Sequence, residues 1–276
     1  MIRVVFIVPI LTLVALALTP FQLAGIALNN NLQRTIPILF HRIVCAVIGV
    51  RIHQVGQLTR ESPVLILSNH VSWLDITVIS AVAPVVFVSK SEVADWPIFG
   101  WLAKLQRTIF IERERRHKTG EATRTMAERL HGGDAVVLFP EGTSSDGVRI
   151  LPFRSALVGA VHHAIGDSAE QHRVVVQPVS LSYLQFGGIP VGRALRDKVA
   201  WYGEAALLPH LLGVLAAGAV DVTVSWGEAR AYDLSANRKL ITQTAETDVR
   251  RMAAAARRAV TATAIAPPAA ISVEAI

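Results

Sequence analysis

The 276-residue sequence predicts an α/β fold, a largely parallel or mixed sheet flanked by helices, preceded by a membrane-associated helix or helical hairpin. Short β-branched runs alternate with amphipathic stretches through most of the chain. By contrast, the 30 residues between Arg3 and Arg34 carry no charge, although 17% of the whole sequence is charged. We therefore predict an N-terminal anchor at residues 1–52, a folded domain at 53–260 and a flexible tail at 261–276.

The anchor prediction depends on length. As a helix, the 25 residues of Val4–Leu28 would measure about 37 Å, more than the roughly 30 Å of a bilayer's hydrocarbon core. A cleaved signal peptide and a buried core helix are the alternatives, although signal peptides have shorter apolar runs of about 7–15 residues. A second apolar stretch, Ile36–Ile52, contains Arg42 and Arg51 and fits the second arm of a hairpin at the membrane surface.

The remainder of the chain alternates between strand and helix patterns. Apolar, β-branched runs predict buried strands at Val64–Leu67, Val85–Val88, Thr108–Ile111, Ala135–Phe139, Val174–Leu181 and Val220–Trp226. Longer amphipathic stretches predict helices at Thr119–His131, Ser155–Ile165 and Ser235–Val260. This alternation is typical of a sheet with helices on its faces.

Several classes of protein are disfavoured by the sequence. The single cysteine, Cys45, cannot form an intrachain disulfide or a multi-cysteine metal site. The sequence lacks the motifs of common α/β hydrolases, P-loop enzymes, zinc proteases and dinucleotide-binding folds. The adjacent His162 and His163 would point in different directions on a helix, so we predict no metal site.

A histidine and an aspartate follow the first predicted buried strand. His70 would leave that strand in a loop, and Asp75 would lie at the start of the next helix. In this arrangement Asp75 can hold one imidazole nitrogen while the other acts as a general base on a substrate hydroxyl. The alternative is an Asp helix cap beside an incidental histidine.

Two other segments bring polar residues to strand ends. Glu141, Gly142 and Thr143 follow the strand Ala135–Phe139, at the end where open α/β sheets bind ligands. Arg113 follows the strand Thr108–Ile111 and offers a guanidinium for a phosphate or carboxylate group. The alternatives are a structural turn for the first segment and a solvated charged face for the second.

In order and spacing, these segments resemble the motifs of the glycerolipid acyltransferase family typified by lysophosphatidic acid acyltransferases. The N-H-x-x-x-x-D motif matches residues 69–75, F-I-x-R matches 110–113, and F-P-E-G-T matches 139–143. The fourth motif, a strand with a proline, matches V-Q-P-V at residues 176–179. The resemblance implies that the α/β domain at 53–260 is a membrane-associated O-acyltransferase domain with this family's fold.

The resemblance also implies a reaction and roles for individual residues. His70, oriented by Asp75, would deprotonate the free hydroxyl of a lyso-lipid, which attacks the thioester of an acyl carrier protein or coenzyme A conjugate. No covalent enzyme intermediate, metal or cofactor beyond this co-substrate is expected. The family pattern further implies that substrate is bound by Asn69, Arg113, Glu141, Gly142, Thr143 and Pro178, with Arg113 as the phosphate contact.

Two departures from the family pattern concern the acceptor. Ser144 stands where many lysophosphatidate enzymes have arginine, and Arg107 stands where the second motif usually begins with glycine. Loss of one guanidinium weakens the case for a phosphomonoester acceptor. F-P-E-G-T-S-S-D-G, V-Q-P-V-S-L-S-Y and the segment at Trp201 look more like bacterial lyso-ornithine lipid acyltransferases, which esterify a 3-hydroxy acyl group. Since Arg107 could replace the missing charge, lyso-ornithine lipid and 1-acylglycerol-3-phosphate both stay open as acceptors.

A non-catalytic membrane-tethered lipid-binding protein and a lipid esterase are the other functions considered. Because acyl thioesters are made in the cytoplasm, the resemblance implies an inner-membrane protein whose catalytic domain faces the cytoplasm. The net charge is +6, and the first 50 residues contribute three arginines to it. We interpret the remaining basic excess as a rim facing anionic lipid rather than as a nucleic-acid surface.

Overall fold

A computed structural model describes residues 2–111, 125–126, 128–130, 132–159, 173–233 and 235–265. Its helices are α1 (Ile2–Ala27), α2 (Leu32–Ile48), α3 (Leu74–Val82), α4 (Phe99–Leu105), α5 (Leu207–Ala217) and α6 (Arg238–Ile265). Short 3₁₀ helices lie at Ser91–Asp95 and Arg196–Lys198, and residues 125–126, 128–130 and 155–159 are also helical. The strands are β1 (Val50–Val55), β2 (Val64–Ser68), β3 (Val85–Lys90), β4 (Ile109–Ile111), β5 (Ala135–Leu138), β6 (Arg173–Phe186), β7 (Ile189–Pro190), β8 (Val220–Trp226) and β9 (Arg230–Asp233).

The strands form a mixed sheet in the order β1-β8-β6-β2-β5-β3-β4. The run from β6 to β4 is parallel, whereas β8 is antiparallel to β6 and pairs in parallel with β1. The predicted α/β fold is therefore confirmed, and all six predicted strands are present. Because β2 and β5 are parallel neighbours, the loops that follow them meet at one edge of the sheet.

Both faces of the sheet are covered by apolar side chains. On one face, Leu74 and Ile79 of α3 pack with residues of α2 over β2 and β6. On the other, Met126 and Ile241 belong to a second apolar cluster, which includes residues of α6. This two-sided burial explains why the central strands read as continuous apolar runs, as in β2, where every residue is buried.

The segment around residue 50 differs from the prediction. Helix α2 ends at Ile48, and Gly49 has a φ of 89°, the left-handed conformation common at helix C-caps. The chain then enters β1, so residues Val50–Ile52 of the predicted anchor segment are part of the sheet. β1 was missed because it is an edge strand with several exposed polar residues. At the other end, α6 continues to Ile265, five residues into the predicted tail, and residues 266–276 lie outside the described chain.

The N-terminal helices form an antiparallel pair beside the domain. Arg3, at the start of α1, donates to the carbonyl of Ile48 at the end of α2, 3.1 Å away. α2 packs against α3, while α1 buries only Ile7, Gln22 and Gly25 and is long and apolar enough to cross a membrane. The predicted pair of helices is thus present, but the second helix is docked on the sheet's helical layer, and its contact with a membrane surface stays a prediction.

A buried polar network joins this hairpin to the domain. Arg107 donates to Gln33 of α2 at 2.8 Å and to Asp134 at 2.7 Å. Arg34 of α2 also binds Asp134, at 3.0 Å. Gln22 of α1 donates to the carbonyl of Leu105 at 2.7 Å. These directional contacts fix the hairpin's orientation relative to the sheet.

We predict that Asp134 is essential for stability because it is the shared acceptor of two arginines. Replacing it by alanine leaves the buried Arg107 and the half-buried Arg34 without their common counter-charge. We expect Asp134→Ala to lower the free energy of unfolding by about 3–5 kcal/mol, measured by thermal unfolding in detergent. Glu61→Gln, which breaks the exposed ion pair with Arg173, is the control and should change stability by about 1 kcal/mol or less. Equal effects of the two variants would contradict this account.

Candidate active site

Asn69 fixes the point at which the chain leaves β2. Its Nδ2 donates to the carbonyl of Leu181 at 3.0 Å, and its Oδ1 accepts from the N–H of Leu181 at 2.8 Å. The side chain is 1% exposed, and its amide continues the pairing between β2 and β6 beyond Ser68. Asn69 therefore positions the next residue, His70; its predicted contact with substrate stays a prediction.

His70 and Asp75 are in direct contact. The His70 Nδ1 lies 2.7 Å from Asp75 Oδ2, and the same oxygen accepts the backbone N–H groups of Val71 at 2.6 Å and Ser72 at 3.0 Å. A carboxylate only accepts hydrogen bonds, so this contact places the imidazole proton on Nδ1 and the lone pair on Nε2. The sequence-based expectation that these side chains meet is confirmed by this geometry.

The other oxygen of Asp75 has a partner that the sequence did not indicate. Tyr183 of β6 donates its hydroxyl to Asp75 Oδ1 at 2.7 Å. Burial, followed by the charge of Asp75, holds the pKa of Tyr183 well above its usual value, so the phenol keeps the proton that it donates. Asp75 also lies in the first turn of α3, where the helix dipole favours a negative charge. The buried carboxylate is thus fully satisfied.

The imidazole of His70 is held on its face as well as at its edge. Its ring stacks on Phe139 with centroids 4.2 Å apart and planes 15° from parallel. Phe139 in turn stacks on Phe87 of β3 at 6.1 Å. The His70 side chain is 20% exposed, so the ring remains accessible while its orientation is restricted by these contacts.

Glu141 joins the loop after β5 to the loop after β2. Its Oε1 accepts the N–H of His70 at 2.8 Å and its Oε2 accepts the N–H of Leu151 at 2.9 Å. Burial raises the pKa of Glu141 to about 7, although both backbone donors act in the opposite direction. Both carboxylate oxygens are therefore used inside the protein, and binding of the acceptor by Glu141 stays a prediction.

The loop that follows Glu141 packs against the His70 backbone. Gly142 has a φ of 76°, which favours glycine, and Thr143 beside it is exposed. Ser145 donates from both its N–H and its hydroxyl to the carbonyl of His70, at 2.9 and 3.1 Å. The structure thus brings the motifs at 69–75 and 139–143 together, as parallel strand order predicts.

Pro178 lies inside β6 rather than at the rim of the site. It sits between the parts of β6 that pair with β9 and with β8, where its missing N–H breaks no ladder. Its carbonyl accepts the N–H of Gly227 at 2.8 Å. The predicted roles of Pro178, Gly142 and Thr143 in substrate binding stay predictions, and Arg113 lies outside the described residues.

The suggestion that Arg107 supplies charge to the acceptor is wrong. Its guanidinium is buried and bound to Asp134, which precedes β5, whereas His70 and Glu141 follow the carboxyl ends of β2 and β5. Arg107 also has a φ of 59°, in the left-handed region that favours glycine. Its charge serves the docking of α2.

Tyr183, Phe139 as a stacking partner and Ser145 are the contributors that sequence analysis missed. Tyr183 is 108 residues from Asp75, so no local spacing relates the two. One signal was available: Leu181 and Tyr183 alternate on one face of a strand, and that face lies over the helix carrying Asp75.

Comparisons with known proteins agree on one family. The acyltransferase family model matches residues 49–182. The lyso-ornithine lipid O-acyltransferase of Brucella abortus (strain 2308) is 47% identical over 251 residues, covering 91% of this chain and 94% of that protein. The protein of the same name from Rhizobium meliloti (strain 1021) is 45% identical, covering 88% of this chain and 83% of its own length.

Two further matches are more distant. The 1-acyl-sn-glycerol-3-phosphate acyltransferase of Neisseria gonorrhoeae is 42% identical over 106 residues, covering 38% of this chain and 42% of that protein. The crystal structure of the 1-acyl-sn-glycerophosphate acyltransferase from Thermotoga maritima superposes with a TM-score of 0.57 at 18% identity. That superposition covers 90% of this chain and 98% of the other, and it shows a shared fold.

Glu141 predicts a pH dependence of stability. Its pKa in the folded state, about 7, exceeds its ordinary value of 4.5, so the folded state binds more protons between these pH values. Stability should therefore fall as pH rises from about 4.5 to 7, by roughly 3 kcal/mol from this group. Thermal unfolding should be measured across this pH range. We expect Glu141→Gln to abolish the fall in stability assigned to this group, and the control Glu92→Gln, at an exposed site, to retain it. An unchanged pH slope in Glu141→Gln would contradict this assignment.

Proposed function

The chain belongs to the acyltransferase family, and from this premise we propose that it transfers a fatty acyl group from a thioester to the free hydroxyl of lyso-ornithine lipid. The observation that carries this proposal is the fixed His70–Asp75 pair at the carboxyl edge of the sheet. The thioester donor in the proposal is an acyl carrier protein or coenzyme A conjugate, and no metal or further cofactor takes part.

In this mechanism His70 acts as the general base. The proton on Nδ1 is held by Asp75, so Nε2 has the lone pair that removes the proton from the acceptor hydroxyl. The resulting oxygen attacks the thioester carbonyl, the acyl C–O bond forms, and the C–S bond breaks to release the thiol. The proton taken up by Nε2 is returned to the leaving thiolate, and the enzyme is unchanged after one turnover.

Asp75 stabilises the imidazolium that forms during the reaction. Its charge lies 2.7 Å from Nδ1, and Tyr183 together with two backbone N–H groups keeps the carboxylate from rotating. Stacking on Phe139 limits tilting of the ring. Such positioning of base and acceptor can supply several kcal/mol of the barrier.

The proposal places the protein at a membrane through α1. Exposed apolar side chains lie along this helix, including Phe6, Leu13 and Phe21. α5 contacts α1 and adds the exposed Leu208, which extends the apolar surface. A lyso-lipid acceptor is itself held in the bilayer, so this surface would bring the active site to its substrate. An inner-membrane location with the domain facing the cytoplasm, where acyl thioesters are made, completes the proposal.

Lyso-ornithine lipid is the preferred acceptor for two reasons. The relatives named for that substrate match most of this chain at 45–47% identity, whereas the glycerophosphate relative matches 38% of it. In addition, Ser144 occupies the position of an arginine common in lysophosphatidate enzymes, and Arg107 is engaged elsewhere. 1-Acylglycerol-3-phosphate is the second candidate, because the glycerophosphate relative is 42% identical to this chain over 106 residues.

A direct comparison of acceptors tests the proposal. Purified full-length protein in detergent is supplied with one acyl thioester and either lyso-ornithine lipid or 1-acylglycerol-3-phosphate, and the acylated products are measured. We expect a higher kcat/KM for lyso-ornithine lipid. A preference for the glycerophosphate would overturn the assigned acceptor, and release of free fatty acid without transfer would identify an esterase. Turnover of neither acceptor, with retained lipid binding, would indicate a non-catalytic lipid-binding protein.

The general-base role of His70 is tested by substitution. His70→Ala should reduce kcat at least about 100-fold, because a positioned base typically contributes about 10²–10⁴ in rate. Unfolding temperature and membrane association should stay near those of the wild type. His53→Ala, at an exposed histidine on β1, is the matched control and should keep full activity. Undiminished acyl transfer by His70→Ala would contradict the general-base mechanism.

A further inference from the structure

A cavity of about 170 Å³ lies directly beside the active-site loop. The residues that line this cavity include Val71, Asp146, Ser182, Tyr183, Arg196 and Arg257. Val71 is the neighbour of His70, and Tyr183 is the hydroxyl partner of Asp75, so the cavity and the candidate active site share walls. Its volume suits a group the size of an amino acid rather than a whole lipid, since sites for larger ligands have about 300–1,000 Å³.

An ion pair lines this cavity. Arg196 donates from Nη1 to Asp146 Oδ2 at 2.8 Å, and each side chain is 25% exposed. Asp146 Oδ1 accepts the backbone N–H groups of Val148 and Arg149, both at 3.0 Å, which fixes the carboxylate in a turn. Burial acts to raise the pKa of Asp146, but these two donors and Arg196 outweigh it and lower the pKa, so the group is ionised at neutral pH.

Two buried polar atoms on the cavity's side chains have no hydrogen-bond partner within the described part of the chain. They are the hydroxyl of Ser182 and the Nε of Arg196. Ser182 as a whole is 4% exposed. Leaving such groups unsatisfied costs stability, which is the usual sign that a ligand or water completes the site. Arg257, on α6, lies at the same cavity and donates to the carbonyl of Gly147 at 3.3 Å.

We propose that this cavity binds the headgroup of the acceptor and that the Asp146–Arg196 pair selects a headgroup carrying one ammonium and one carboxylate. This inference rests on the proposed function, because it assigns the recognition of that same acceptor. In lyso-ornithine lipid the α-nitrogen is part of an amide, so the headgroup retains a carboxylate and a side-chain ammonium. Each would meet its opposite charge: the ammonium at Asp146 and the carboxylate at Arg196.

The position of the cavity suits the reaction. Ser145, next to Asp146, donates to the carbonyl of His70. Gly147 packs so closely on Val71 that a Cβ added to this glycine would lie 3.0 Å from a methyl of Val71. The headgroup site is therefore attached to the backbone that carries the general base. A 3-hydroxy acyl group has its hydroxyl only a few bonds from the headgroup amide, so the headgroup must lie near His70. A phosphomonoester, by contrast, has no ammonium to pair with Asp146.

The test combines one substitution with one acceptor analogue. Asp146→Asn removes the charge but keeps the Oδ1 acceptor of the turn at Val148 and Arg149, so the loop should be retained. The analogue has norvaline in place of ornithine, which removes the ammonium and keeps the carboxylate and the carbon chain. Full-length protein in detergent is assayed with both acceptors and with 1-acylglycerol-3-phosphate. Glu61→Gln, which removes a carboxylate from an exposed ion pair elsewhere, is the control.

We expect Asp146→Asn to lower kcat/KM for lyso-ornithine lipid by about 10- to 100-fold, mainly through KM, as for loss of a charged hydrogen bond. The wild type should discriminate against the norvaline analogue by a similar factor, and Asp146→Asn should turn over the two acceptors equally. Turnover of the glycerophosphate should be unchanged or increased in Asp146→Asn. Glu61→Gln should behave as the wild type with every acceptor.

Two results would overturn the inference. One is an equal loss with all acceptors in Asp146→Asn, which would assign Asp146 a structural role only. The other is full discrimination against the norvaline analogue in Asp146→Asn, which would place the ammonium elsewhere. Failure of the proposed function would look different from these two results. In that case the wild-type enzyme itself would not acylate lyso-ornithine lipid.

Discussion

The buried carboxylate of Asp75 is the constraint on which the active-site region depends. A charge without solvent must be satisfied by the protein, and Asp75 receives hydrogen bonds from the His70 ring, two backbone N–H groups and Tyr183. These donors come from the loop after β2 and from β6. Satisfying one carboxylate therefore closes the loop, sets the tautomer of His70 and ties α3 to the sheet.

A second carboxylate, that of Glu141, connects two loops through hydrogen bonds to their backbones. Glu141 holds the backbone of His70 on one side and that of Leu151 on the other, and Asn69 anchors the same loop to β6. His70 is thus held by backbone contacts on both sides as well as by its side chain. His70 and Asp75 are therefore preorganised: their relative orientation is fixed before any ligand binds.

Charged residues at the two ends of the sheet have different roles. At one end, Asp134 accepts hydrogen bonds from Arg34 and Arg107 and fixes the N-terminal hairpin to the domain. At the other, Asp146 and Arg196 line the cavity beside the loop that carries His70. An arginine in the second motif is therefore part of the docking of the hairpin, while acceptor recognition in our proposal depends on the loop that follows the third motif.

Much of this protein could be predicted from the sequence. The six buried strands, the apolar first helix and the pairing of His70 with Asp75 all follow from local patterns, because periodicity and short spacing act within one or two elements. β1, the role of Arg107 and the hydroxyl of Tyr183 could not be predicted in this way. Only the tertiary structure decided them, since strand order, edge position and a contact across 108 residues are set by how the elements pack. The sequence determined which chemical groups are present, and the parallel order of β2, β5 and β6 determined which of them meet.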